Sequence, residues 1–259
     1  MKRSLVWGSV AMLVLFWAFL WRRQKEVPPA PVSNSEEQIQ AVVVPISPKP
    51  VIPLPVQIRP VATLPDSFLI PNVPFTLQAP NAEWGNPTFQ DACEEAAIIM
   101  AEAWVNKKTL SKESVKKEIE ALVVFEKKKF GQAVDTSLAD TSWLLRNYFS
   151  LTTSEVKTGI TIDDIREAVA ASRIVIVPTD GQKLKNPNFK QPGPARHMVL
   201  ITGYDTKTKE FIANDPGTRK GKDYRYPEAV LFEAILDYAT GNHVPVISRD
   251  KVMLTVWQG

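Results

Sequence analysis

Residues 91–104 read Asp91-Ala-Cys93-Glu94-Glu95-Ala96-Ala-Ile-Ile-Met100-Ala-Glu-Ala-Trp104, and the rest of the chain is read outward from them. Ala96, Met100 and Trp104 recur every four residues, the spacing of a helix face turned to a core. Asp91 followed by Glu94 is an N-terminal capping signature, with the apolar period starting directly behind it. Cys93, the chain's one cysteine, then falls in the first helical turn beside unpaired backbone N–H groups. Those dipoles favour a thiolate, and such placements bring a thiol from ~8.5 down to about 3.5–7.5. Glu94 and Glu95 oppose this, so a cationic neighbour is required. The plain alternative is a buried, inert cysteine that packs as a small hydrophobe.

Further helices are expected around this one. Ser111 to Lys129 carries Val115, Ile119 and Leu122 between lysines and glutamates, which make a solvated outer face. Asp140 to Phe149 follows, then Asp163 to Ala171 with Thr161 and Asp164 placed as a capping box. The second half turns to strands: Ile174–Val177, His197–Asp205, Phe211–Asn214, and part of the stretch from Val244 to Trp257. One helix, Pro227 to Tyr238, interrupts them, with proline at its start and Gly241 just past its end. Helices first and an antiparallel sheet afterwards is an α+β pattern.

The 259 residues are an average over three unlike pieces. Residues 1–25 contain five basic and no acidic residues, while the remainder from Asp66 onward holds 24 basic and 25 acidic residues. The formal charge of +3 therefore belongs to the N-terminus, and nothing in it points to nucleic acid. Leu5 to Trp21 is an uncharged apolar run with basic flanks and tryptophans near its ends. It is just long enough for a thin bilayer, so residues 1–25 are expected to form a transmembrane signal anchor. Its end, Phe19-Leu20-Trp21-Arg22-Arg23, is a poor cleavage site. Between Glu26 and Pro74 lie 12 of the 21 prolines. Residues 26–65 are accordingly expected as a polyproline stalk. Residues 66–259 are expected to form one domain standing at the cell membrane, and the stalk points to a place outside the cytoplasm. One cysteine excludes disulfides, and with two histidines it leaves at most three soft ligands, so neither a metal nor a cofactor is expected.

A cysteine nucleophile needs a histidine to take its proton and a third group to orient that histidine. His197 ends the loop Gln191-Pro-Gly-Pro-Ala-Arg196 and opens a strand, which suits work at a cleft. His243, in Gly241-Asn-His-Val-Pro, reads as structural. Asn214 and Asp215 are both candidates to hold the imidazole by accepting its Nδ1–H. If Asp205 pairs with Glu210, alternation puts Asn214 on the face of His197. A one-residue bulge, or departure from strand geometry at Asp215-Pro216, puts Asp215 there instead. The long loop Asp180–Arg196, ending at His197, reads equally as a roof over a substrate groove and as plain surface.

The segments VPFTLQAP, QDACEEAAIIMAEAW, HMVLITGYD and FIANDPGT resemble the papain-like peptidases of the C-thirty-nine-like family, relatives of the enzymes that trim double-glycine leaders. The resemblance runs from about Val73 to Trp257. It implies a papain-like fold and a cysteine peptidase or amide hydrolase acting on a peptide or protein through an acyl-thioester. It further implies Cys93 as nucleophile, His197 as general base and Asp215 as its orienting group. Gln78 would supply the side-chain amide of the oxyanion hole beside the Cys93 backbone N–H. Leader peptidases usually carry Gly after the catalytic Cys and a glutamine nearer to it. Here Glu94 follows, Gln78 lies far upstream and Gln90 is a closer rival. Those departures carry the alternative of a non-catalytic papain-like binding or scaffold domain. A third reading keeps the triad for cell-wall peptide hydrolysis or acyl transfer.

Overall fold

The computed structural model describes residues 64–259 apart from 134, 242, 244, 245, 247 and 248. The apolar run Leu5–Trp21 and nearly all of the proline-rich stretch lie outside these residues. Among the described residues no helix is long and apolar enough to cross a membrane. The described residues form one compact unit.

Its centre is helix α2 (Cys93–Val105), of which every residue except the last is buried. Four alanines, Ala96, Ala97, Ala101 and Ala103, let neighbours approach this helix closely. It packs on strand β4 (His197–Asp205) and against helices α3 (Lys112–Phe130) and α4 (Leu138–Asn147). The short α1 (Pro87–Gln90) leads into it. Helix α3 is framed by a Ser111–Ser114 capping box and by Gly131 in the left-handed conformation, with Lys127, Lys128 and Lys129 in its last turn. Helix α5 (Ile162–Ala170) starts at the expected Thr161–Asp164 box. Helix α6 (Glu228–Ala234) is shorter than the sequence pattern suggests, ending before Ile235 turns extended.

Among the described residues one antiparallel sheet runs in the order β2 (Ser154–Thr158), β7 (Val252–Val256), β3 (Ile174–Thr179), β4, β5 (Glu210–Asn214), β6 (Tyr224–Pro227). The first half of β4 pairs with β3, and its second half pairs on with the short β1 (Ser67–Leu69). Gly203 makes room at that junction, since a Cβ there would lie 2.8 Å from the Phe68 carbonyl oxygen and 3.2 Å from Ile212 Cδ1. The β4–β5 register starts at Asp205 opposite Glu210 and then slips, so that Gly203 faces Ile212 while Ile201 faces Ala213. Thr202 is the bulged residue. The architecture is α+β as expected, with β1, β2 and β6 added to the strands read from the sequence.

Two glutamates are buried where α2 and α3 meet. Glu95 and Glu126 are both buried, their carboxyl groups meet each other, and no other described residue donates to the Glu126 oxygens. Burial, reinforced by the charge of Glu94, pushes Glu126 up to about 8. Burial and the neighbouring Glu126 push Glu95 well above the carboxylate range. An exposed glutamate gives up its proton near 4.5. The folded state therefore keeps a proton that the unfolded state releases, and stability falls as pH rises between these values. Glu126→Gln should raise unfolding free energy by roughly 1–3 kcal/mol at about pH 8, and by much less near pH 4.5. Urea denaturation at the two pH values checks this; an equal gain at both would contradict it.

Candidate active site

The bulge at Thr202 decides which residue meets the histidine. With Leu200 opposite Asn214, the following residue, Asp215, comes onto the face of His197. Asp215 Oδ1 lies 2.7 Å from the His197 ring. Asn214 is turned away, its amide donating to the Pro74 carbonyl at 3.2 Å and its oxygen accepting from the Asp223 N–H at 3.2 Å. Asp215, rather than Asn214, thus holds the imidazole, and the bonded ring nitrogen is Nε2 rather than the expected Nδ1. That leaves Nδ1 as the nitrogen not bound to Asp215.

Asp215 is wholly buried, and four donors converge on it. His197 Nε2 and the Gly217 N–H (2.9 Å) reach Oδ1, while the Tyr226 hydroxyl (2.5 Å) and Asn186 Nδ2 (3.4 Å) reach Oδ2. Asn186 also donates to the Tyr226 oxygen at 2.7 Å. Burial alone would raise the Asp215 carboxyl. The charge of His197, with the hydrogen bonds from His197, Tyr226 and Gly217, outweighs burial and holds it below the ordinary aspartate range. Asn186 and Phe189 belong to the long loop before β4. The Phe189 ring meets His197 edge-on at 5.3 Å. The loop therefore closes over the histidine instead of lying as plain surface. Gly217 completes the enclosure, because a Cβ there would come within 2.8 Å of His197 Cε1.

Cys93 occupies the first position of α2, but not with the cap the sequence suggests. Ala92 is the N-cap and no side chain caps the helix; Asp91 closes α1 instead. Glu94 is drawn elsewhere. Its Oε2 accepts the Cys93 thiol at 2.9 Å, and its Oε1 accepts the Tyr238 hydroxyl at 2.8 Å and the Thr136 N–H at 3.3 Å. Donors from residues 42 and 144 positions away outcompete a local cap, which no short motif reveals. The thiol is 4% exposed. Burial first, then the carboxylates of Glu94, Asp135 and Glu95, push it well above the ordinary thiol range. The helix-terminus dipole, about 0.3–1 kcal/mol at ordinary sites, is too small to reverse this. The expected thiolate is thus not the form favoured in this arrangement.

Gln78 lies beside the segment leading to Cys93, with its amide donating to the carbonyls of Phe89 (3.2 Å) and Gln90 (2.6 Å). Its backbone N–H reaches the Pro216 carbonyl at 3.1 Å, tying this strand of chain to the Asp215 turn. The Gln90 side chain is exposed. His243 meets Asp135 at 3.0 Å, and Arg196 lies 3.4 Å from the same carboxylate oxygen. Neither this acid nor Tyr226, Asn186 and Tyr238 was legible as a site residue in the sequence. The one signal available was the alternation of Tyr224 and Tyr226 beside the Asp-Pro turn.

A thiol at the start of a buried helix and a carboxylate-held histidine at the start of the strand beneath it thus lie in one α+β domain. The chain belongs to the Peptidase_C39 like family, whose model matches residues 70–242, and it is a cysteine-type peptidase. Among solved structures it is similar to a protein of Bacillus anthracis assigned to the C39-like peptidases, at 16% identity and TM-score 0.48, covering 74% of this chain and 98% of that one. Xylellain, a cysteine protease from Xylella fastidiosa, is similar at 13% identity and TM-score 0.34, covering 76% and 88%. No curated protein matches the sequence.

Tyr226→Phe removes one donor from the buried Asp215 carboxylate and strips Asn186 of an acceptor. It should lower unfolding free energy by about 1.5–3 kcal/mol in urea denaturation at neutral pH; an unchanged midpoint would contradict the role given to this hydroxyl.

Proposed function

We propose that Cys93, His197 and Asp215 form a catalytic triad that hydrolyses a peptide or amide bond. The observation that carries this reading is the Asp215–Nε2 bond of 2.7 Å, which leaves Nδ1 as the nitrogen for proton transfer. The sole thiol of the chain sits at the start of the helix that packs on the strand His197 opens. In this scheme Nδ1 takes the thiol proton as Sγ attacks the carbonyl carbon, and Asp215 stabilises the imidazolium through Nε2–H. The oxyanion develops at the uncapped N-terminus of α2, where the Cys93 backbone N–H is the first donor. Gln78 becomes the second when it exchanges its longer bond, to Phe89, for the oxyanion. Nδ1–H then protonates the leaving amine, giving an acyl-thioester. Water attacks the thioester, its proton passing to Nδ1 and then to the departing thiolate.

The alternative of a papain-like binding domain without turnover draws on the protonated Cys93 thiol and its bond to Glu94. The membrane anchor rests on the run Leu5–Trp21, and the placement outside the cytoplasm on the proline-rich stretch and the family likeness. Loss of membrane sedimentation on deleting residues 1–25 would support the anchor, and unchanged sedimentation would dismiss it.

Turnover of a peptide mixture, followed by mass spectrometry, decides between enzyme and binding domain. Cys93→Ala should abolish cleavage and His197→Ala should lower kcat by about 10²–10⁴-fold. Cleavage surviving in Cys93→Ala would end the catalytic reading.

A further inference from the structure

Among the described residues, Glu94 is the group that bonds directly to the Cys93 sulfur. A thiol has a single proton, and here that proton points at Glu94 Oε2 rather than at a histidine nitrogen. The carboxylate is itself pinned from the far side. Tyr238, just beyond α6, and the backbone of Thr136, in the loop after α3, both donate to Oε1. The remaining neighbours are acids: Glu95 on the same helix, Glu126 on α3, and Asp135 in the loop. Asp135 is paired with Arg196 and meets the His243 ring. No cation bonds Glu94 among the described residues, so its charge is supported by three hydrogen bonds and opposed by burial.

We propose that Glu94 is a positioning residue that gates the nucleophile: as a carboxylate it holds the Cys93 proton in a bond to itself, and as a neutral acid it releases the thiol to His197. The inference rests on the reading of Cys93 as nucleophile and His197 as base. Two physical effects act in the same direction. A carboxylate against sulfur disfavours a second negative charge there, and it competes with Nδ1 for the thiol proton. Protonation of Glu94 removes both. Burial, with the Asp135 charge adding to it, lifts Glu94 to about 7, so the exchange falls in the neutral range. The direction is opposite to that of an ordinary thiol, whose reactivity only rises with pH.

The test is the rate of Cys93 alkylation by iodoacetamide in the intact protein, measured from about pH 5.5 to about pH 8.5. Glu94→Gln mimics the neutral acid. Its rate should match the native one at the acid end, where native Glu94 is also neutral. The ratio should then climb through pH 7 to about tenfold or more at the alkaline end, one unit of thiol shift being a factor of ten in thiolate. A ratio that stays constant with pH overturns the gate, as does a slower variant at every pH, which would make Glu94 a helper of the thiol. Tyr238→Phe provides a second arm and decides if Glu94→Gln fails to fold. Losing that donor disfavours the carboxylate, so the native inflection should move to higher pH; an unmoved inflection counts against the proposal. His197→Ala keeps the two readings apart. Unchanged turnover in that variant would remove the triad, whereas a flat Glu94→Gln ratio with turnover lost in His197→Ala would remove only the gate.

Discussion

The carboxylate of Asp215 has no access to water, and the surrounding structure is organised by that fact. A buried carboxylate without partners is expensive enough to neutralise itself or unfold its surroundings. Here it is kept charged by donors from four separate segments: the first residue of β4, the turn at Gly217, strand β6 and the loop before β4. Each donor ties its segment in place. The loop holding Asn186 and Phe189 is ordered against the histidine for this reason, and β6 gains a reason to lie beside β5 beyond its few backbone pairs. The orientation of His197 is thus a product of how one charge is satisfied.

The thiol side of the site is built on the contrary principle. Where Asp215 is surrounded by donors, Cys93 is surrounded by acids, and burial adds to their effect. A helix N-terminus contributes a favourable potential, but its magnitude is about 1 kcal/mol, while one unit of pKa shift already corresponds to about 1.4 kcal/mol. Position at a helix start therefore does not activate a cysteine when three carboxylates lie close by. In the proposed triad the thiol proton has two competing acceptors, Glu94, which holds it here, and Nδ1 of His197. Glu94 occupies that position because Tyr238 and Thr136 hold it there, so the loop after α3 and the chain beyond α6 help set the surroundings of the Cys93 thiol.

Much of the architecture was written in local patterns. The β4 boundaries, His197 to Asp205, match the strand read around the apolar run Met198–Ile201, and Thr161 with Asp164 starts α5 through side chains three residues apart. Strands β2 and β6 were missed because Ser154–Thr158 and Tyr224–Pro227 are short and partly exposed, without a hydrophobic stripe. The choice between Asn214 and Asp215 could not be made from alternation, since a single bulged residue at Thr202 reverses the answer and no side chain there announces it. Glu94 was misread for the opposite reason. Its spacing from Asp91 fits a cap, but a cap bond is local and weak beside the two donors, Tyr238 and Thr136, that tertiary contacts bring to it. Features fixed within a few residues were legible; those fixed by charge satisfaction across the fold were not.

The central claim is that His197 is held through Nε2, with Nδ1 facing the chemistry. The chain has two histidines, so ¹⁵N NMR of the imidazoles, with His243→Gln for assignment, reads the tautomer directly. The account predicts a protonated Nε2 bonded to Asp215 and an unprotonated Nδ1 whenever the neutral ring is observed. A neutral ring carrying its proton on Nδ1 would contradict it.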